Sequence, residues 1–306
     1  MSFFIAIIVK GSASRKLIGT ICAIGAAVCY GTNPLGALNL YAEGMNTPSV
    51  LFYRFGMAWV IIAVFMMFRK ESLKVNRREF LTLTALGVLF IFSSLTLYLS
   101  FHHMPAGVAS TILFTYPVMT AAIMALFFHE RISIATVISI ALALAGVLLL
   151  YWGDTGGALS ILGVILVLIS ALTYALYIIV VDKSPLEMSS FKINFYVLFY
   201  CALGMVAFAL ISGQHIMFPP TPRAWLWVSW LAVVPAIMAL VMMVYAAKYL
   251  GSTPTAILGA LEPTTAVLIG IFIFSEPFTL RLLFGIILIL AAVTIVVLGK
   301  STKKEG

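Results

Sequence analysis

Charge is what this sequence has least of: only 9% of its 306 residues are Asp, Glu, Lys or Arg, and ten of those are acids. Water-soluble domains carry roughly a quarter charged residues, so a soluble globular class is excluded. Cysteine is scarce as well. Cys22, Cys29 and Cys201 sit in apolar stretches and read as small packing residues, with neither a disulfide framework nor a metal-ligand spacing among them. Catalytic motifs are missing: there is no HExxH, no GxSxG, no paired Asp and no phosphate loop, and the polar segments are too short to hold a catalytic domain. An intramembrane enzyme would need convergent nucleophile, base or metal groups, and none is found. His102 and His103 are neighbours without Cys, Asp or Glu nearby, so no metal and no cofactor is expected.

What remains is apolar surface. Hydrophobic residues make up 63% of the chain and mean hydropathy is +1.16. A bilayer absorbs this, since each crossing needs roughly 20 apolar residues at about 1.5 Å rise. Such stretches occur at 17–40, 49–69, 80–101, 105–127, 132–152, 159–181, 190–212, 224–247, 252–274 and 279–299. None alternates polar and apolar at every second residue, as a barrel strand would, so all ten are expected to be helices. The fold expected is an all-α polytopic membrane protein. Phe3 to Val9 is too short to span and reads as an interfacial tail without a cleavage signal.

Cations set the orientation, because Lys and Arg stay on the cytoplasmic side of inserted helices. With the N-terminus inside, the inner segments hold Lys10, Arg15, Lys16, Arg69, Lys70, Lys74, Arg77, Arg78, Arg131, Lys183, Lys192, Lys248, Lys300, Lys303 and Lys304. The outer loops hold Arg223 and Arg281, and Arg54 lies within the second span. Both termini are therefore expected in the cytoplasm, with tails at 1–16 and 300–306. The same asymmetry accounts for the net charge of +8, so the partners expected are a bilayer and a small solute and not nucleic acid. The chain is expected to act as a monomer or homodimer.

The chain repeats itself. At an offset of 144, Gly19, Ala27 and Tyr30 fall on Gly163, Ala171 and Tyr174; at 146, Pro117, Glu130, Leu142 and Ala145 fall on Pro263, Glu276, Leu288 and Ala291. Pro and Glu are rare here, which gives that pair weight. Five spans per half is odd, so the second half (159–299) must lie inverted against the first (17–152). Inverted repeats place a solute site near the midplane between halves that rock, which points to a secondary transporter. A channel, the rival class, usually rings an axis.

Ionisable groups inside spans are costly and usually functional. Glu262 lies about ten residues into the ninth span, near the bilayer centre. It either carries a coupling proton, receives a cationic substrate group, or makes an ion pair that only holds the fold. Arg54 either snorkels to the outer surface or presents its fork of donors to a carboxylate or phosphate. Whether the two pair with each other is open. Prolines lie within four spans, Pro34, Pro117, Pro235 and Pro263, as hinges or as fixed bends. Polar stripes occur at Ser94 and Tyr98, at Ser170, Tyr174 and Tyr177, and at Tyr196 and Tyr200, and such faces are expected to point inward. We expect Asn33, Tyr98, Thr115, Tyr116, Tyr174, Tyr177 and Tyr245 to line the cavity with Arg54 and Glu262, an aromatic lining suited to an amino acid or heterocycle. Ala141, Ala145 and Gly146, with Ala291 and Ala292, form small faces that either close the bundle or make a dimer seam. Trp225, Trp227 and Trp230 read as an interfacial belt.

The run Tyr30-Gly31-Thr32-Asn33-Pro34, Pro48 with Arg54, Tyr116-Pro117, His129-Glu130-Arg131, Leu261-Glu262-Pro263 and Ser275-Glu276 together resemble the drug/metabolite transporter superfamily, specifically its EamA-type permeases with two five-helix domains. The likeness covers nearly the whole chain. Tyr30 stands where the family usually has Trp, and Ser139 where it often has Gly. The resemblance implies an exporter or exchanger of amino acids or related metabolites in a bacterial inner membrane, passive or proton-coupled, with multidrug, nucleobase or nucleotide-sugar permeases as the alternative.

Overall fold

Inside a bilayer no water is available to the peptide groups, so each apolar stretch closes its hydrogen bonds within itself as a helix. The computed structural model describes residues 12–128, 134–151, 160–184, 186, 188–250, 255 and 258–301, and no strand occurs among them. The first span is α1 (Ser12–Gly31) and α2 (Asn33–Ala42); the second is α3 (Thr47–Phe68) and the third α4 (Arg77–Ser100). The fourth is α5 (Ala106–Leu113) with α6 (Tyr116–Phe127), and the fifth is α7 (Ile134–Tyr151). In the second half, α8 (Ile161–Lys183) and α9 (Ser190–Ile211) are the sixth and seventh spans. The eighth is α10 (Pro222–Leu231), a π-helical stretch Ala232–Met238 and α11 (Ala239–Leu250), followed by α12 (Leu261–Phe274) and α13 (Leu280–Ser301). Seven spans are long and apolar enough to cross on length and composition alone; the fifth, ninth and tenth contribute shorter apolar helices within the described residues.

Polar residues at the span ends set the starts. Asn76 accepts the Glu79 N–H at 2.8 Å while Glu79 accepts the Asn76 N–H at 2.7 Å, a reciprocal capping box opening α4. Asn46, Ser160, Ser189 and Thr221 cap α3, α8, α9 and α10 through their side-chain oxygens. Each such cap stabilises its helix by about 1 kcal/mol.

Packing between the halves has the pattern an inverted two-fold requires. The second span packs on the seventh, the fourth on the ninth and the fifth on the tenth, pairs that map onto themselves when span n is exchanged for span n+5. The third packs on the sixth and the first on the eighth, and the same exchange turns one of these pairs into the other. Close approach of the fifth and tenth spans depends on Gly146 and Gly285: a Cβ on Gly146 would meet Ile289 at 2.7 Å, and one on Gly285 would meet Leu150 at 2.5 Å. The small face is thus occupied within the chain by Gly146 and Ala292, whereas Ala141 and Ala145 point outward.

Two polar layers tie the halves together, one on each face. Opposite the termini, Thr221 donates to Glu43 at 2.8 Å, Arg223 lies 3.9 Å from Glu43, the Asn46 amide donates to the His215 carbonyl and the Met217 N–H donates to Ser49. On the terminal face, Ser189 bonds Glu71, Lys192 donates to the Lys74 carbonyl at 2.6 Å and Tyr196 donates to the Leu73 carbonyl.

Two expectations change here. Tyr196 does not point into the bundle but binds the loop after the second span, whereas Tyr200 packs on Gly87 of the third span, its hydroxyl accepting from Thr84 at 3.0 Å. A period-3.6 stripe marks a polar face without saying what that face meets. The tryptophans are not a uniform belt either. Trp225 packs edge-on against Tyr53 with centroids 5.6 Å apart, and Trp227 keeps its indole N–H buried without a partner among the described residues.

Candidate functional site

The centre of the bundle is built where helices break. The first span is interrupted at Thr32, and Pro34 falls in the first turn of α2, where a missing N–H costs nothing. The lost donor would have served the Tyr30 carbonyl, and the Asn33 side-chain amide supplies it instead at 2.8 Å, while Thr32 bonds the Cys29 carbonyl at 2.7 Å. The fourth span breaks at Phe114–Thr115 before Pro117, and the ninth at Gly259–Ala260 before Pro263. Pro117 and Pro263, duplicated in the sequence, thus follow duplicated breaks. Pro235 differs, sitting inside the π-helical stretch of the eighth span.

Tyr116 and Glu262 hold equivalent places, each just ahead of its proline, and the two-fold brings both to the centre. Glu262 lies within electrostatic reach of Tyr30, Tyr116, Tyr174 and Arg54. The first and ninth spans approach closely here because Gly31 has no side chain: a Cβ on it would sit 2.5 Å from the Thr265 Cβ and 2.6 Å from the Glu262 carbonyl oxygen. Glu262, Tyr30, Tyr116, Tyr174 and Tyr177 come from helices of both halves, and each is partly buried. Tyr116 meets Tyr174 edge-on at 4.7 Å, Tyr174 stacks beside Tyr177 at 6.0 Å, and Phe90 closes on both at 6.2 and 5.3 Å.

Arg54 is turned inward, 8% exposed, so its side chain does not snorkel to the surface. Its Nη1 donates to the Tyr98 hydroxyl at 2.7 Å, and that hydroxyl donates to Asn33 Oδ1 at 3.3 Å. The guanidinium lies over the Phe55 and Tyr98 rings at 5.3 and 5.4 Å. Its Nε–H is buried and has no partner among the described residues. Among those residues no carboxylate lies within 4 Å of Arg54, and no donor is bonded to the Glu262 carboxyl. Arg54 and Glu262 therefore do not form a direct pair.

Several expected residues lie elsewhere. Tyr245 stacks on Tyr249 at 6.0 Å, toward the terminal face of the eighth span. Thr115 is buried, its hydroxyl without a partner among the described residues, and lines a 140 Å³ cavity with Val118, Met119, Ile140, Leu144 and Leu168, between the fourth, fifth and sixth spans. Ser170 is used up in packing, donating to the Ser93 carbonyl at 2.7 Å. Glu130, with His129 and Arg131, lies outside the described residues. Sequence reading missed Tyr30 and Phe90 as wall residues. For Tyr30 a signal existed, because it matches Tyr174 in the repeat; Phe90 carried none.

Two inverted five-helix halves around one polar centre have the architecture of a polytopic membrane transporter. The chain belongs to the EamA-like transporter family, whose model matches residues 17–152 and 161–298. It is 29% identical over 278 residues to an uncharacterized transporter of Archaeoglobus fulgidus, covering 90% of this chain and 95% of that one. It is also 24% identical to the Bacillus subtilis uncharacterized transporter YdfC over 80% of each chain. A solved crystal structure shares the fold with a TM-score of 0.65 at 18% identity, covering 96% of this chain and 99% of that one.

Proposed function

We propose that this transporter moves a small zwitterionic metabolite of the amino-acid type by alternating access, as an exporter or exchanger in a bacterial plasma membrane with both termini in the cytoplasm. One observation carries the reading: a buried guanidinium without an acid partner among the described residues, on the second span, lies within electrostatic reach of a carboxyl without a donor, on the ninth, beside a cluster of tyrosines. Each group would be costly to leave unpaired in a low-dielectric site. A solute bearing both a carboxylate and an ammonium completes them together, the carboxylate on Arg54 and the ammonium on Glu262. Glu262 also suits a coupling proton, since one acid serving either a cation or H⁺ makes the two compete and so exchange. The Tyr116, Tyr174 and Tyr177 rings favour an aromatic or heterocyclic side chain, and through it a nucleobase as the second reading.

Counterflow in proteoliposomes tests this. Internal unlabelled amino acid should accelerate saturable uptake of the labelled one, and a pH gradient alone should drive uptake if Glu262 carries the proton. Acceleration by nucleobases and not by amino acids selects the second reading. Flux without saturation or acceleration rejects a carrier.

A further inference from the structure

On the face opposite the termini, α12 ends with Ser275 in a left-handed conformation, φ 55°, and the next N–H, that of Glu276, bonds back to the Gly270 carbonyl at 2.9 Å. The Glu276 side chain then leaves its own half. Its Oε1 accepts the Ala106 N–H at 2.7 Å and its Oε2 accepts the Gly107 N–H at 3.2 Å, the first free donors of α5 in the other half. Pro105, at the capping position of α5, has no side-chain acceptor to offer, so the cap comes from the opposite repeat. Space for the carboxylate exists only because two residues lack a side chain: a Cβ on Gly107 would lie 3.1 Å from Oε2, and one on Gly270 would overlap the carboxyl itself. Glu276 thus joins the carbonyl end of the ninth span to the amide end of the fourth, where opposite ends of two helix dipoles meet.

Spans four and nine map onto each other under the two-fold. When one half rocks against the other, a contact that bridges them on one face must open as that face opens. We propose that Glu276 is a gate residue, a two-pronged latch that holds the face opposite the termini closed until transport releases α5. Its place in a cycle presupposes the carrier reading; the latch itself does not. Release leaves two amides and a carboxylate to be solvated, so the closed state is favoured and the open one is reached without covalent change.

Distances between nitroxide labels on cysteines replacing His103 and Phe278 read the gate directly. Both positions are exposed, His103 just ahead of α5 in the first half and Phe278 two residues beyond Glu276 in the second. In full-length protein in nanodiscs, with Cys22, Cys29 and Cys201 replaced by Ala, the chain with Glu276 intact should show mainly one short distance. Glu276→Ala should raise a longer-distance population about tenfold, with Glu276→Gln, which keeps one acceptor, between the two. Gly270→Ala, which leaves the carboxylate intact but takes its place, should do the same. Distance distributions unchanged in folded Glu276→Gln and Gly270→Ala would overturn the latch, and so would failure of both to fold, since Glu276 would then be a fixed staple. Shifted distances without counterflow would keep the latch and remove the carrier reading.

Discussion

The guanidinium of Arg54 is bonded to the hydroxyl of Tyr98 at 2.7 Å and not to the carboxyl of Glu262, although the two charges lie within electrostatic reach of each other. A tyrosine hydroxyl orients a cation without neutralising it. Arg54 is thereby held in place and left electrostatically open, which is what an anion site requires.

Tyr98→Phe removes that support. Buried groups left unpaired cost about 1–3 kcal/mol each, and here Arg54 Nη1 and Asn33 Oδ1 both lose a partner. We expect a melting point lowered by several degrees and a raised KM for counterflow. Arg54→Lys should lower affinity for carboxylate substrates by roughly 10–100-fold, since ~1.5–3 kcal/mol attaches to a hydrogen bond with a charged group. A decarboxylated amine should be spared. Equal losses for acid and amine would remove Arg54 from recognition.

Glu262→Gln keeps the shape and removes the charge. Exchange of neutral zwitterions should fall at least ~10-fold while uptake loses its dependence on a pH gradient. Unchanged rate together with unchanged pH dependence, measured on folded protein, would remove Glu262 from both roles.

Gly31→Ala tests the seam between the first and ninth spans. The new methyl meets a Thr265 carbon and the Glu262 carbonyl, and the carbonyl has no rotamer by which to yield. Overpacking of this kind costs about 1–3 kcal/mol. Thermal unfolding should show that loss, with little relief from adding Thr265→Ala. Full relief would mean that the side chain alone set the spacing.

His102 tests the network opposite the termini, where its Nε2 lies 3.0 Å from Thr47 Oγ1 and its ring packs, tilted by 30°, against Tyr41 at 4.2 Å. Burial, with His103 beside it, holds the imidazole below its ordinary value. A histidine with a depressed folded pKa binds fewer protons folded than unfolded, so its contribution is full above about pH 6.5 and falls as pH drops through and below that value. Melting points should decline from pH 7.5 to 5.5, and His102→Gln should flatten that decline. An unaltered slope would place the titration elsewhere.

Composition and periodicity reached the spans because lipid leaves the backbone one solution, and each apolar run had to be a helix whatever it packed against. The inverted arrangement was legible for a similar reason: an odd number of spans per repeat forces the second copy upside down. Glu262 and Arg54 stood out as rare charges in apolar surroundings. Tyr196 was misplaced because the rotation of a helix about its axis is set by its neighbours, and sequence spacing names a face without naming what it meets. The duplicated Pro117 and Pro263 marked the breaks, yet not that Asn33 would repair the one at Pro34.

Class, span number and antiparallel halves were determined by the sequence alone, since they follow from how much apolar chain there is and how it recurs. Only the tertiary structure decided that Arg54 turns inward onto Tyr98, that Tyr116 and Glu262 come within electrostatic reach across the two-fold, and that Glu276 caps a helix 170 residues away from it in the chain. Those depend on distances between segments remote in sequence, which helix packing sets and local propensity does not.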